Sequence, residues 1–398
     1  MPKRSSEKIE LQQFDLDPER GFLPARDPLQ RLPSRYDPWE AIAAELGPLM
    51  LTGRLAGELA RLPVLDAREL ESGAELRRAM LLLSYLGHAS VWGGPEPVAK
   101  IARSVAIPWC HVAARLGRPP VLSYASYALD NWRRFDLRGS LTLDNVALLQ
   151  NFAGGADEDW FIGVHIEIEY RAAPLLREVG SLLAAVQRGD VGKIVEGLEV
   201  FASVLQALVE VLRRMPEHCD PHAYYLRVRP YIHGWRDHPA LPGGVVYEGV
   251  EAFAGEGQRF RGETGAQSGI IPTVDAVLGI EHAEDGLRAY LREMRDYMPP
   301  AHRGFLEAVE AQSQLRTCLK RGAASGSAEA KELYDECLHW LEAFRSTHLE
   351  FAASYIQRQS QREAGNPTGV GTGGTPFMPY LRKHRDETAR HRLSEKAK

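Results

Sequence analysis

The sequence predicts an all-α protein, with a small N-terminal helical domain packed on a large C-terminal helical one. Apolar residues recur at steps of three and four through several long segments, whereas alternating strand-like runs are rare. With 398 residues, 44% of them hydrophobic and 25% charged, the chain can bury a large core and is long enough for two domains.

Residues 1–35 are polar and dotted with proline, and read as an extended segment lying on the surface. A small helical domain follows over 36–150. The Gly-containing, acidic stretch 151–159 reads as a linker, so the large domain spans 151–382. Within it, VHIEIEY at 164–170 alternates as a half-buried strand does, and His165, Glu167 and Glu169 on one strand face would suit a non-haem metal. Phe161, His165, Ile168, Ala172 and Leu175 also share a helical face, and with no partner strand in view helix is the expectation. Ile194, Leu198, Phe201, Leu205, Leu208 and Leu212 form a second helical stripe ending near Pro216. Leu287, Leu291 and Met294 form a third, stopped by the pair Pro299 and Pro300. Residues 357–375, rich in Gly, Gln, Ser and Thr, read as a mobile loop, and 383–398 as a charged, frayed tail.

The net charge is −5 with no basic stretch that would draw nucleic acid or an anionic membrane, so neither is expected as a partner. Cys110, Cys219, Cys318 and Cys337 form no CxxC pair, which argues against a disulfide framework or a cysteine zinc site and for a reducing compartment. The first residues lack a signal-peptide core, and no apolar run is long enough to span a bilayer. A soluble, cytoplasmic protein is expected.

One stripe contains a chemical surprise. Leu333, Cys337, Leu341, Phe344, His348, Ala352 and Tyr355 recur at helical spacing, which turns His348 inward. A buried imidazole costs free energy unless its nitrogens find partners. Periodicity alone leaves two readings open, a satisfied core histidine or a haem ligand. His339, His302 and His88 read as surface or packing residues.

The text around His348 bears on that choice. FRSTHLEFA at 344–352, MRDYMPPAHRGFL at 294–306, GAQSGIIPTVDAVLG at 265–279 and GTGGTPFM at 371–378 occur in order, preceded by LLLSYLGHASVWG at 81–93, SYASYALDNW at 123–132 and AYYLRVRPYIHGW at 223–235. In these blocks, from about Asp37 to Tyr380, the chain resembles the indoleamine 2,3-dioxygenases, haem enzymes that open the pyrrole ring of tryptophan with molecular oxygen.

The resemblance implies haem b, ferrous in the active form, held by His348 as the proximal metal ligand. It implies that Arg345 and Asp275 belong to a network at a haem propionate, and that Thr264 lines the haem edge; a structural ion pair and a loop leading to a helix cap at Ser268 are the alternatives. Arg229 corresponds to the residue that grips the substrate carboxylate, a task suited to a guanidinium. Tyr224 matches an aromatic that packs on the indole, and Tyr124 and Tyr127 lie in the block that roofs the pocket. Tyr127 stands where part of the family carries a smaller residue. Thr372, in GTGGT, would meet the substrate ammonium.

His165 departs from the family pattern. Aligned, it falls on the distal side of the haem where several eukaryotic relatives carry a small hydroxyl residue, and it is similar in this to the tryptophan 2,3-dioxygenases. Its neutral form could accept the indole N–H or tune bound oxygen. The implied reaction inserts O2 across the indole C2–C3 bond of L-tryptophan, or a related indoleamine, to give N-formylkynurenine in the kynurenine pathway. The alternatives are a haem oxygenase acting on another indole or tryptophan derivative in secondary metabolism, and a non-catalytic haem sensor.

Overall fold

The computed structural model describes residues 9–152, 155–322, 327–360, 371–372 and 377–393. Helices dominate them, as expected.

The helix Gly73–Trp92 (α1) begins at a capping box. The Ser72 hydroxyl accepts from the Glu75 amide at 3.2 Å while the Glu75 carboxylate accepts from the Ser72 amide at 3.0 Å. Its apolar run from Met80 to Leu86 is almost wholly buried, as a helix enclosed on most sides must be. Arg103–Leu116 (α2) packs against it and ends at Gly117, whose φ of 65° a residue with a side chain would adopt only under strain.

The segment Ala156–Arg171 (α3) is a helix, with Asp157, Glu158 and Asp159 in its first turn, where carboxylates meet the positive end of the helix dipole. His165 and Glu169 are then four apart on one helix face while Glu167 points away from it, and the strand-based metal reading falls. Ala173–Arg188 (α4) and Val191–Arg213 (α5) form a hairpin about Gly189, and α5 carries the expected stripe, buried at Ile194, Leu198, Phe201, Leu205 and Leu208. Ile270–Leu278 (α6), Pro300–Gln312 (α7) and Ser327–Phe351 (α8) complete the frame, with α8 packed along α5.

Strands are short and peripheral. Lys100–Ile101 pairs in parallel with Val245–Tyr247, which pairs antiparallel with Gly257–Gln258; Arg133–Arg134 pairs with Val146–Ala147.

Two expectations need correction. The helical path from α8 continues as a π-helical segment Ala352–Gln357 and then Arg358–Ser360, so the expected loop does not begin at 357; residues 361–370 and 373–376 of it lie outside the described residues. The charged segment from 383 does not fray as a whole. It belongs to the helix Phe377–Ala389 (α9), which packs on α8 and buries Thr388 completely, because its Thr and Glu side chains find polar partners there. Among the described residues no helix is long and apolar enough to cross a membrane.

Candidate functional site

Three π-helical turns, an uncommon geometry that often marks function, carry or adjoin candidate residues: Ala125–Leu129 with Tyr127, Tyr224–Val228 with Tyr224, and Ala352–Gln357 directly after the helix that bears His348. Phe161 on α3 ties them together. Its ring centroid lies 6.3 Å from that of Tyr127 and 4.7 Å from that of Tyr224, and Tyr224 lies 5.8 Å from Tyr355 on the third turn.

His165 sits one helical turn beyond Phe161, its ring 6.0 Å edge-on to Tyr124. Its Nδ1 lies 2.8 Å from the Phe161 carbonyl oxygen. A carbonyl only accepts, so Nδ1 carries the proton and Nε2 presents a lone pair. Burial lowers the pKa of His165, which keeps the ring neutral at pH 7.

His348 was expected to be buried, yet its side chain is exposed. Its pKa is nevertheless depressed to about 4, by desolvation and then by the charge of His165. His348 and His165 are near enough to act on each other electrostatically. Among the described residues neither nitrogen of His348 has a hydrogen-bond partner. A neutral imidazole without a hydrogen-bond partner, near a second imidazole that itself lies against aromatic rings, is a donor set that fits a ligand to a haem iron. The competing histidines are otherwise engaged or exposed. His88 hydrogen bonds the Tyr231 carbonyl through Nδ1 at 2.8 Å and accepts from the Leu122 amide through Nε2 at 2.9 Å; His302 packs on Phe22, and His339 is exposed.

One turn before His348, Arg345 binds Asp275 of α6 through both carboxylate oxygens, at 2.9 and 2.6 Å, and donates to the Thr388 hydroxyl. Burial would raise the Asp275 pKa, but the Arg345 charge and a hydrogen bond from His282 hold it down to about 2.

Arg229 is fully buried, its guanidinium carbon 5.8 Å above the Tyr225 ring. Its chain segment runs against the 260–263 segment, where Trp235 donates to the Phe260 carbonyl and Glu263 to the Ile232 carbonyl. The crossing is so tight that a Cβ on Gly234 would lie 2.1 Å from the Gly262 amide nitrogen, which makes glycine obligatory at both positions. Thr372 lies on this crossing, its hydroxyl donating to the Glu263 carbonyl at 2.5 Å and its own carbonyl accepting from Gly234. The Thr264 hydroxyl accepts from the Ala266 amide at 3.4 Å, and Ser268 accepts from Ile270, so the loop-and-cap arrangement is what the described residues display there.

Two buried acids hold places that the sequence reading did not give them. Glu263 is raised to about 8 by desolvation and acts electrostatically on Tyr124, Tyr127 and Tyr224. Glu169, raised to about 7, accepts from the Tyr124 and Ser268 hydroxyls at 2.9 and 2.8 Å. The one sequence signal for Glu263 is its place between glycines in RGETG, which is weak. A cavity of about 290 Å3, bounded by Phe22, Arg77, Arg118 and His302, reaches Ala125 and Leu129 at the ends of the first π-helical turn.

The chain is similar to known proteins over nearly its full length. The family model described as indoleamine 2,3-dioxygenase matches residues 10–391. The chain is 35% identical to indoleamine 2,3-dioxygenase 1 of Rattus norvegicus, covering 99% of this chain and 98% of the relative. It is 35% identical to indoleamine 2,3-dioxygenase nanC of Aspergillus nanangensis, over 96% and 97% of the two chains. With the indoleamine 2,3-dioxygenase of Saccharomyces cerevisiae it shares 32% identity over 95% and 92%.

Proposed function

The chain belongs to the indoleamine 2,3-dioxygenase family and is an oxidoreductase of the dioxygenase class, and on that premise we propose that it inserts both atoms of O2 across the indole C2–C3 bond of L-tryptophan, giving N-formylkynurenine. The observation that carries the reading is the pair of neutral imidazoles, His348 and His165, near enough to act on each other, with His165 beside the rings of Tyr124 and Phe161.

In this reading His348 holds haem b by a ring nitrogen, and burial keeps that nitrogen unprotonated and able to ligate. When bound, ferrous haem supplies the oxygen chemistry. Arg345 and Asp275, fixed to each other on the helices beside His348, meet a propionate edge. Arg229 receives the substrate carboxylate through two parallel N–H bonds. Phe161 and Tyr224 pack the indole, Tyr124 and Tyr127 close the roof, and Thr372 meets the ammonium. The lone pair of His165 Nε2 accepts the indole N–H and fixes which ring edge is presented. The small domain at 36–150 supplies the roof and the large domain at 151–382 the haem face.

The test is direct. The purified protein is reduced and supplied with L-tryptophan in air, and the absorbance of N-formylkynurenine should grow with oxygen consumption. A Soret band with neither change would leave a haem-binding protein without this activity.

A further inference from the structure

We propose that His282, His384 and Glu387 form a binding site for a divalent transition ion of the zinc type, by ligands other than those assigned to the haem. The ligand atoms of these three half-buried residues all lie within 4.8 Å of one another. His384 and Glu387 are three apart on α9, the spacing that puts two side chains on one helix face. The third residue comes from the turn after α6, so an ion here would pin the C-terminal helix to the body of the protein.

The surrounding contacts match what such an ion needs. His282 directs Nε2 to Asp275 at 3.1 Å and Nδ1 to Glu387 at 2.6 Å. A ligating histidine characteristically offers its other N–H to a carboxylate, which fixes ring orientation and strengthens the donor; Asp275 is placed for that task and is itself held by Arg345. His384 lies against His282 with centroids 4.4 Å apart and the rings tilted by 36°, and its Nε2 is buried with no hydrogen-bond partner among the described residues. Desolvation lowers the His384 pKa to about 4, so the ring is neutral at pH 7. A buried imidazole nitrogen without a partner beside a His–carboxylate pair is a donor set suited to such an ion.

Binding is an exchange of a proton for the ion. The proton that His282 Nδ1 shares with Glu387 leaves for solvent, the freed lone pair and one Glu387 oxygen turn to the metal, and His384 Nε2 completes three protein ligands, with water in the fourth position. Two imidazoles and one carboxylate favour zinc, cobalt or nickel over calcium or magnesium, which prefer all-oxygen sites. Asp275 and Glu387 oppose Arg345 and Lys383 in charge, and Lys383 is drawn off by Asp285. The site differs from the cysteine-based zinc motifs whose absence the sequence records.

The experiment uses the haem-loaded protein, stripped of adventitious metal with chelator and titrated with Zn2+ alone. One equivalent should bind per chain and α9 should gain protection from hydrogen exchange. His384→Ala and the milder Glu387→Gln should each weaken Zn2+ binding by about a hundredfold, at least the loss seen when an orienting partner is removed, with the Soret band unchanged. A wild type that takes up no Zn2+, or variants that bind it as tightly, would overturn the proposal. Haem content and dioxygenase activity are read separately, so failure here does not bear on the proposed reaction.

Discussion

Arg345 and Asp275 form a bidentate ion pair, 2.6 and 2.9 Å between guanidinium Nη2 and the two carboxylate oxygens, across 70 residues of chain. Removing one member of such a pair leaves a buried charge uncompensated. Asp275→Ala should therefore destabilise the fold by roughly 3–5 kcal/mol in urea unfolding. The Asp275 pKa is depressed from 3.8 to about 2. Its stabilisation is thus present above the unfolded value and lost as pH falls toward 2, a loss that Asp275→Asn should not show.

His348→Ala should abolish the Soret band of the purified protein or sharply weaken haem retention, because it removes the imidazole proposed to hold the iron and leaves His165, whose Nδ1 is tied to the Phe161 carbonyl, as the remaining ring of the pair. Full haem occupancy with unchanged ligand-field spectra in the variant would remove His348 as the ligand.

His165→Ser should keep haem and retain partial activity, with turnover lowered about tenfold to a hundredfold by poorer positioning. Tryptophan methylated on the indole nitrogen cannot donate to Nε2 and should separate wild type from variant far less. Since the pKa of His165 is lowered, the acid limb of its contribution to kcat/KM should lie below 6.5. Loss of haem in the variant would make His165 an axial ligand or a structural residue.

Arg229→Leu should weaken tryptophan binding by about tenfold to over a hundredfold, the loss of a charge-assisted pair worth roughly 1.5–3 kcal/mol. Indoles lacking a carboxylate should be nearly indifferent to the change. Equal effects on both ligand types would point to a damaged fold.

Glu263 is held uncharged, its pKa raised from 4.5 to about 8. The native state then keeps a proton that the unfolded chain releases, so stability is greatest below pH 4.5 and falls as pH rises through about 8. Glu263→Gln should remove that fall, gaining on the order of a few kcal/mol relative to wild type at pH 8. Parallel stability profiles from pH 5 to 8 would show that Glu263 is ionised in the native protein.

The sequence by itself determined the helices and the residues on their faces. Spacing of three and four residues is set by local backbone geometry, so the stripes on α5 and α8, and the choice of helix over strand at 164–170, were legible without any fold. The family blocks singled out His348, Arg345, Asp275 and Arg229. Tertiary structure decided which distant polar groups share a buried volume. The crossing of Gly234 and Gly262 carries Glu263 into the protein, the packing of α9 on α8 brings Thr388 to Arg345, and the same packing sets His384 beside His282. Tertiary structure also left His348, a stripe position expected to be buried, with an exposed side chain. Such juxtapositions come from long-range chain closures, whose partners lie tens to hundreds of residues apart, and desolvation by those closures is what shifts each pKa; neither leaves a periodic mark on the sequence.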